Sequence, residues 1–338
     1  MGDVIRIGIL GAGTMGTTHA AAWANLPDVE VVGVFSRDAA RARSIANLCG
    51  AAPVTDADAL IADAAVDAID VCLPSAKHAA AVVPALEKGK HVFCESPLAL
   101  DLGEAHRMRD AARRAGRLLQ VGLLMRSVAA YAHVRNAVAS AAHGCLLSLA
   151  AWRLGSYLRP DVPGRKAHYG DPSTELMTFD FDVALWLMGP PTGLQASAVR
   201  MDGGTPGEIS TLLSWDDGRN ATISASGIMP PGFPFSVGFR ALFEGAVFEL
   251  HQTFEGHGPP KSRFTIARET AAPAPVALED RNPYRVELQR FVDCIRGRAD
   301  PALLDVDRSI EALKLSLATQ RALAGERPAW RQATPGLS

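Results

Sequence analysis

The chain has no excess of either charge. Its 34 Lys and Arg stand against 36 Asp and Glu, a formal net charge of −2 at pH 7. No long block of like charge breaks that balance, so the sequence carries no electrostatic footprint for nucleic acid or an anionic membrane. Cysteine is sparse. The five residues, Cys49, Cys72, Cys94, Cys145 and Cys294, include no pair at C-x-x-C or metal-ligand spacing, and no metal site is read from them. An odd count of thiols fits a reducing compartment, with most of them small buried apolar side chains. No apolar run is long enough to span a bilayer. Strand-like sequence begins within a few residues of Met1, so no signal peptide is expected and the prediction is a soluble, cytoplasmic protein.

What is present is one strongly patterned stretch in a chain of 338 residues, a length that suggests about two domains. Val4–Leu10 is an apolar run that ends in Gly11-Ala12-Gly13-Thr14-Met15-Gly16 and opens a helical pattern. The spacing G-x-G-x-x-G has a physical logic. Gly11 permits the tight strand-to-helix turn, Gly13 lets backbone approach a pyrophosphate, and Gly16 lets helix and strand pack closely. Phosphates would then meet free N–H groups at the positive end of the helix dipole. A second strand-like run, Val29–Phe35, closes the βαβ unit.

Where an NAD site would place an acid on the ribose 2′-OH, this second strand ends in Phe35-Ser36-Arg37-Asp38. Ser36 could bond a 2′-phosphate and Arg37 could pair with it or stack on adenine, which favours NADP over NAD; the alternative for Arg37 is a solvated loop charge. Strands and helices then alternate through Gly122: helix Ala39–Cys49, strand Ala68–Pro74, strand Gly89–Ala99 ending in a kinked turn, helix Leu102–Ala115 and strand Leu118–Gly122. That alternation predicts a doubly wound parallel sheet. His78 follows Pro74 at a helix start, either near the cofactor or as a capping residue.

Beyond residue 123 the pattern changes. Gly155–Pro172 is rich in Gly and Pro, carries Tyr157, Arg159, Arg165, Lys166, His168 and Tyr169, follows Arg153, and reads as a binding loop. Thr174–Met188 is predicted as one helix. From Gln195 to Ala267 apolar and polar residues alternate, with a hairpin turn at Asp216-Asp217-Gly218. So large an antiparallel sheet leaves a face to be covered, and the expected cover is the same sheet of another subunit, in a homodimer or homotetramer. Asn282–Arg296 and Val306–Ala324 read as amphipathic helices, and Glu326–Ser338 as a loose tail. The predicted division is 1–123 for dinucleotide binding and 124–338 for substrate binding and oligomerisation.

Taken together, these features resemble the Gfo/Idh/MocA oxidoreductases. The matching residues are the glycine turn, Pro74 with His78, Glu95-Ser96-Pro97, Gln120-Val121-Gly122 with Arg126, Asp182 with Trp186 and Gly189, and Tyr284…Glu287-Leu288…Phe291…Ile295…Gly297. The resemblance implies an α/β protein: an N-terminal Rossmann domain and a C-terminal α/β domain on a large, mostly antiparallel open sheet. With it comes an expected cofactor cleft lined by Gly11, Gly13, Thr14, Met15, Gly16, Ser36, Arg37, Leu73, Pro74, His78, Glu95, Ser96, Pro97 and Gln120.

The same resemblance exposes two departures. The family places a lysine beside the nicotinamide in a Glu-Lys-Pro turn, and here Ser96 holds that position. A histidine acid/base belongs on the second-domain helix, and here Phe179 stands in its place, with Glu175 where an aspartate is usual and Asp182 retained. A positioned base contributes about 10²–10⁴-fold to such a reaction. Proton handling is therefore expected to have moved to Asp182, Glu175, Lys166, His168 or Tyr169, with Glu175 and Asp182 two turns apart on one helix face. The alternatives are an ion pair or helix-to-loop hydrogen bond for Asp182 and a surface loop role for His168. Three functions stay open at this point. One is an NADP- or NAD-dependent oxidoreductase acting on a sugar, polyol or aromatic hydroxy/carbonyl compound. The others are a redox-neutral lyase, isomerase or hydrolase with bound nicotinamide, and a non-catalytic nucleotide binder.

Overall fold

The computed structural model describes residues 4–159, 171–255, 260–268 and 271–326. From the N-terminus run β1 (Ile5–Leu10), α1 (Thr14–Trp23), β2 (Val29–Phe35), α2 (Ala39–Cys49), β3 (Ala52–Val54), α3 (Ala57–Ala62), β4 (Ala68–Val71), α4 (His78–Glu87), β5 (His91–Cys94), α5 (Leu102–Ala115) and β6 (Leu119–Val121). The six strands form one parallel sheet in the order β3-β2-β1-β4-β5-β6. The chain reverses direction across the sheet between β1 and β4, the switch point where doubly wound sheets hold ligands. Near-continuous apolar strands follow from burial on both faces: Ile7, Ile9, Leu10, Ile69, Val71, Val92 and Phe93 are fully buried. Helix starts are set locally. Asp38, Asp56 and Asp101 accept backbone N–H groups at the N-termini of α2, α3 and α5, and left-handed Gly50 and Gly116 end α2 and α5.

The next elements are α6 (Ala129–Ser140), β7 (Leu146–Leu154), α7 (Pro172–Glu175), α8 (Met177–Met188), β8 (Gly193–Arg200), β9 (Pro206–Ser214), β10 (Asn220–Ser226), β11 (Phe235–Phe243), β12 (Ala246–Phe254), β13 (Lys261–Arg268) and β14 (Ala271–Pro275). The eight strands form one sheet in the order β14-β13-β12-β11-β7-β10-β9-β8, antiparallel except for the β7–β10 pair. Gly218, at φ 90°, makes the expected β9–β10 turn. Alternation sorts the faces. Leu149, Ala151, Ile209, Leu213, Ile223, Phe239, Phe248 and Leu250 are buried on one side. Pairing register puts Ala150, Trp152, Leu212, Thr222, Arg240 and Leu242 on the other.

The last elements are α9 (Pro283–Ile295) and α10 (Val306–Leu323). The sequence places one boundary, after residue 123, whereas the compact units are each built from two segments. Met1–Val128 joins Asp280–Leu313, and Ala129–Glu279 joins Lys314–Ser338. The returning segment belongs with the first unit because α9 buries Phe291 against Trp23 of α1 and Phe93 of β5, with ring centroids 6.5 and 5.6 Å apart. The expected single helix over Thr174–Met188 is two. Asp171 caps a short turn begun by Pro172, and the backbone departs from helical φ at Leu176 (φ −118°) before α8 begins. Glu175 and Asp182 therefore do not share one continuous helix face. The predicted tail at Glu326–Ser338 lies, apart from Glu326, outside the described residues.

Candidate active site

The glycine turn is built as its spacing requires. Gly11 sits at φ 123°, and a side chain there would run into the Cys72 carbonyl oxygen. A side chain at Gly16 would collide with the carbonyl of Gly11, so α1 can lie against the turn only if Gly16 is bare. Gly13 differs: a Cβ there would meet nothing within 4 Å. Steric pressure inside the fold explains the first and third glycines, whereas the second, the N-cap of α1, faces open space. No side chain caps α1, whose N-cap is Gly13 itself, so its leading N–H groups are presented as an anion site. Thr14 is exposed and Met15 half-buried beside that opening.

The neighbouring strand end supplies the next contacts. Gly11 N–H donates to Phe35 O at 3.1 Å, which sets Ser36 beside the turn. The Ser36 hydroxyl accepts Asp38 N–H at 3.1 Å, and Arg37 is exposed. Asp38 is committed to capping α2, accepting the N–H groups of Ala40 at 3.0 Å and Arg41 at 3.2 Å. The first acid after the strand thus points at its own helix.

At the ends of β4 and β5, Leu73 is half-buried and Pro74 exposed. His78 is buried, with Nε2 2.8 Å from Leu73 O and Nδ1 3.2 Å from Leu98 O. Burial lowers its pKa, against weaker opposing effects of the two carbonyls. Both ring nitrogens face backbone carbonyls rather than the N–H groups of a helix start, so His78 ties the loop after β4 to the segment after Pro97. The Ser96–Pro97 bond is cis, Pro97 is buried, and Ser96 Oγ donates to Gly122 O at 2.9 Å. Gln120 points elsewhere. Its amide nitrogen donates to Pro301 O at 3.2 Å and to Cys294 Sγ at 3.4 Å, which leaves it bracing the returning segment of its own unit.

Behind Ser96 lies a polar cluster that sequence reasoning missed. His19 of α1 is fully buried, its Nδ1 2.9 Å from Asp70 Oδ2 and its Nε2 2.7 Å from Glu95 Oε1. Trp23 Nε1 donates to Asp70 Oδ2 at 2.7 Å, and Glu95 Oε2 accepts Ser96 N–H at 3.0 Å. Burial alone would lower the His19 pKa, but the adjacent Asp70 carboxylate, then Cys72, overrides it and holds the pKa well above the ordinary value. The signal was available in Asp70, an acid inside an apolar strand, because a buried carboxylate requires a partner.

In the second unit Asp182 is buried and Glu175 half-buried. Lys166, His168 and Tyr169, with Arg165, lie outside the described residues. Phe179, in place of the family's histidine, packs under a cation: the Arg153 guanidinium carbon is 4.7 Å from its ring centroid. Arg153 in turn grips Asp180 through Nε at 2.9 Å and Nη2 at 3.1 Å, both residues buried. Burial raises the Asp180 pKa, and Arg153 opposes the rise. The bidentate pair is a contact between β7 and α8 that one-dimensional spacing does not reveal.

Comparison with known proteins is consistent with this geometry. Residues 5–123 match the sequence profile described as "Oxidoreductase family, NAD-binding Rossmann fold". The chain is 28% identical to an inositol 2-dehydrogenase of Rhizobium meliloti, across 96% of this chain and 98% of that protein. It is 27% identical to a 1,5-anhydro-D-fructose reductase of Ensifer adhaerens, across 94% and 96%. Among solved structures, a putative myo-inositol dehydrogenase of Sinorhizobium meliloti superposes with a TM-score of 0.78 at 25% identity, over 96% of this chain and 98% of that one.

Proposed function

We propose that the chain is an oxidoreductase of the Gfo/Idh/MocA type, a reading that the profile match over residues 5–123 supports, and that it is an NADP-preferring dehydrogenase or reductase of a sugar-like, polyol or cyclic hydroxy/carbonyl compound. The observation that carries the cofactor reading is the clear space at Gly13 over the uncapped start of α1. A backbone cradle at a helix N-terminus suits a pyrophosphate in shape and charge. When bound there, the nicotinamide supplies the hydride acceptor or donor. Thr14, Met15 and Gly16 would hold the diphosphate through backbone N–H groups. Ser36 and exposed Arg37 would take a 2′-phosphate, while Asp38 uses Oδ1 to cap α2.

The Ser96 and Phe179 positions support a relocation of proton handling within this chain. The Ser96 hydroxyl is already donated to Gly122 O, and Phe179 offers a ring to Arg153. Neither residue can exchange a proton with a substrate near neutral pH. Asp182 is the candidate base, with Glu175, Lys166, His168 and Tyr169 as further candidates. Phe179 and Met177 make the helix more apolar than a polyol site requires, which extends the substrate class to compounds with an aromatic or hydrophobic face. The same two replacements favour a second reading, redox-neutral turnover with transient hydride transfer. We further propose that the open face of the eight-stranded sheet, with Leu212 41% and Leu242 40% exposed, is covered by a second subunit.

The deciding experiment follows nicotinamide absorbance and substrate mass together, with NADP and a panel of inositols, sugars, polyols and aromatic acids. Reduced cofactor accumulating with a product two hydrogens lighter supports net oxidation. A substrate that changes while the cofactor spectrum stays flat overturns it in favour of the redox-neutral reading.

A further inference from the structure

Glu287 of α9 is fully buried, and neither of its carboxylate oxygens has a hydrogen-bond partner. It points into the cluster behind Ser96: His19, Glu95 and Glu287 each bring one ligand-type atom within 4.8 Å of the other two. The charged neighbours acting on it are Glu95 from the end of β5, His19 from α1 and Asp70 from β4; Cys72 and Cys94 sit behind them with thiol pKa values pushed up by burial. His19 is the one basic group in that set, and it is already shared between Asp70 and Glu95.

An ionised Glu287 would put a third anion on one buried imidazolium. It would also compete with Glu95 for Nε2, and Glu95 is the residue whose other oxygen holds Ser96 N–H. Two occupants could relieve this, a proton or a metal ion. A tetrahedral ion bound at about 2.0–2.2 Å keeps its ligand atoms about 3.3–3.6 Å apart, whereas His19 Nε2 and Glu95 Oε1 are in direct contact at 2.7 Å. The geometry favours the proton.

We propose that Glu287 is a positioning residue: a carboxylic acid that keeps its proton in the folded interior and thereby leaves His19 free to anchor the Glu95-Ser96-Pro97 turn. Burial, then the Glu95 charge, raises its pKa well above the carboxylate range, in the same direction as the geometric argument. The turn's placement beside the nicotinamide rests on the oxidoreductase reading; the protonation itself does not. Because the folded value is raised, stability from this group is complete below its ordinary pKa of 4.5 and is lost as pH rises through the folded value.

Infrared spectroscopy of the wild-type chain near pH 7 reads the proton directly. A neutral carboxylic acid band is expected, and its absence from the wild type overturns the proposal without any variant. The band should vanish in Glu287→Gln. Thermal unfolding of Glu287→Gln should match wild type near pH 5 and exceed it by about 2–6 °C per pH unit above that. A Glu287→Gln chain less stable than wild type throughout, or one Zn²⁺ bound per wild-type chain and lost in the variant, contradicts it. If turnover is never found, the band and the melting curves still decide. If turnover is found, Glu287→Gln should flatten the alkaline limb of kcat and leave KM unchanged.

Discussion

Substituting Asp180→Ala removes one partner of the Arg153 pair and leaves a guanidinium in an interior where Arg153 is 5% and Asp180 0% exposed. Two charge-assisted bonds, at 2.9 and 3.1 Å, disappear together. The larger effect is the cation left without its counterion; breaking a buried pair in this way costs about 3–5 kcal/mol. The stacking of Arg153 on Phe179 is present in both chains and does not offset the loss. For a unit of this size the loss corresponds to a fall of about 6–20 °C in the midpoint of the unfolding step that reports on it. Arg153→Met with Asp180→Leu removes both charges and keeps volume, so the double variant should lie within about 2 kcal/mol of wild type. Urea unfolding followed by tryptophan fluorescence measures all three chains. An Asp180→Ala chain within 1 kcal/mol of wild type, or a double variant no better than the single, would refute the claim that charge compensation holds β7 to α8.

Gly13→Ala should leave stability within about 1 kcal/mol while weakening dinucleotide binding at least tenfold, because the added methyl meets only the ligand; Gly16→Ala should lose both, and calorimetry beside a melting curve separates them. Arg37→Ala should raise the Kd for NADP about 10–100-fold and leave NAD unchanged, the size of one lost hydrogen bond to a charged group. Asp182→Asn should lower kcat by about 10²–10⁴-fold if Asp182 is the base, with His168→Ala as its comparison. Unchanged turnover in both would remove the relocated-base idea.

Much of the first unit was legible because its determinants are local. The glycine turn and the apolar strands each act within a few residues, and the alternation of strands with helices predicts the doubly wound parallel sheet that is observed. The eight-stranded sheet was legible for the same reason, through period-two alternation and the turn at Gly218. Long-range packing was not. The return of α9 to the first unit depends on Phe291 meeting Trp23, more than 260 positions away in sequence. Similarly, His19, Asp70, Glu95 and Glu287 become one cluster only when α1, β4, β5 and α9 converge. The break at Leu176 was hidden by an apolar periodicity that runs on through it, although Asp171-Pro172 was a start signal of its own.

The cofactor site is tested most directly by a crystal structure of the chain soaked with NADP. The account predicts the diphosphate against the N–H groups of Thr14 and Met15, over Gly13, with the 2′-phosphate between Ser36 and Arg37. A dinucleotide bound elsewhere, or a 2′-phosphate directed into solvent, would contradict it.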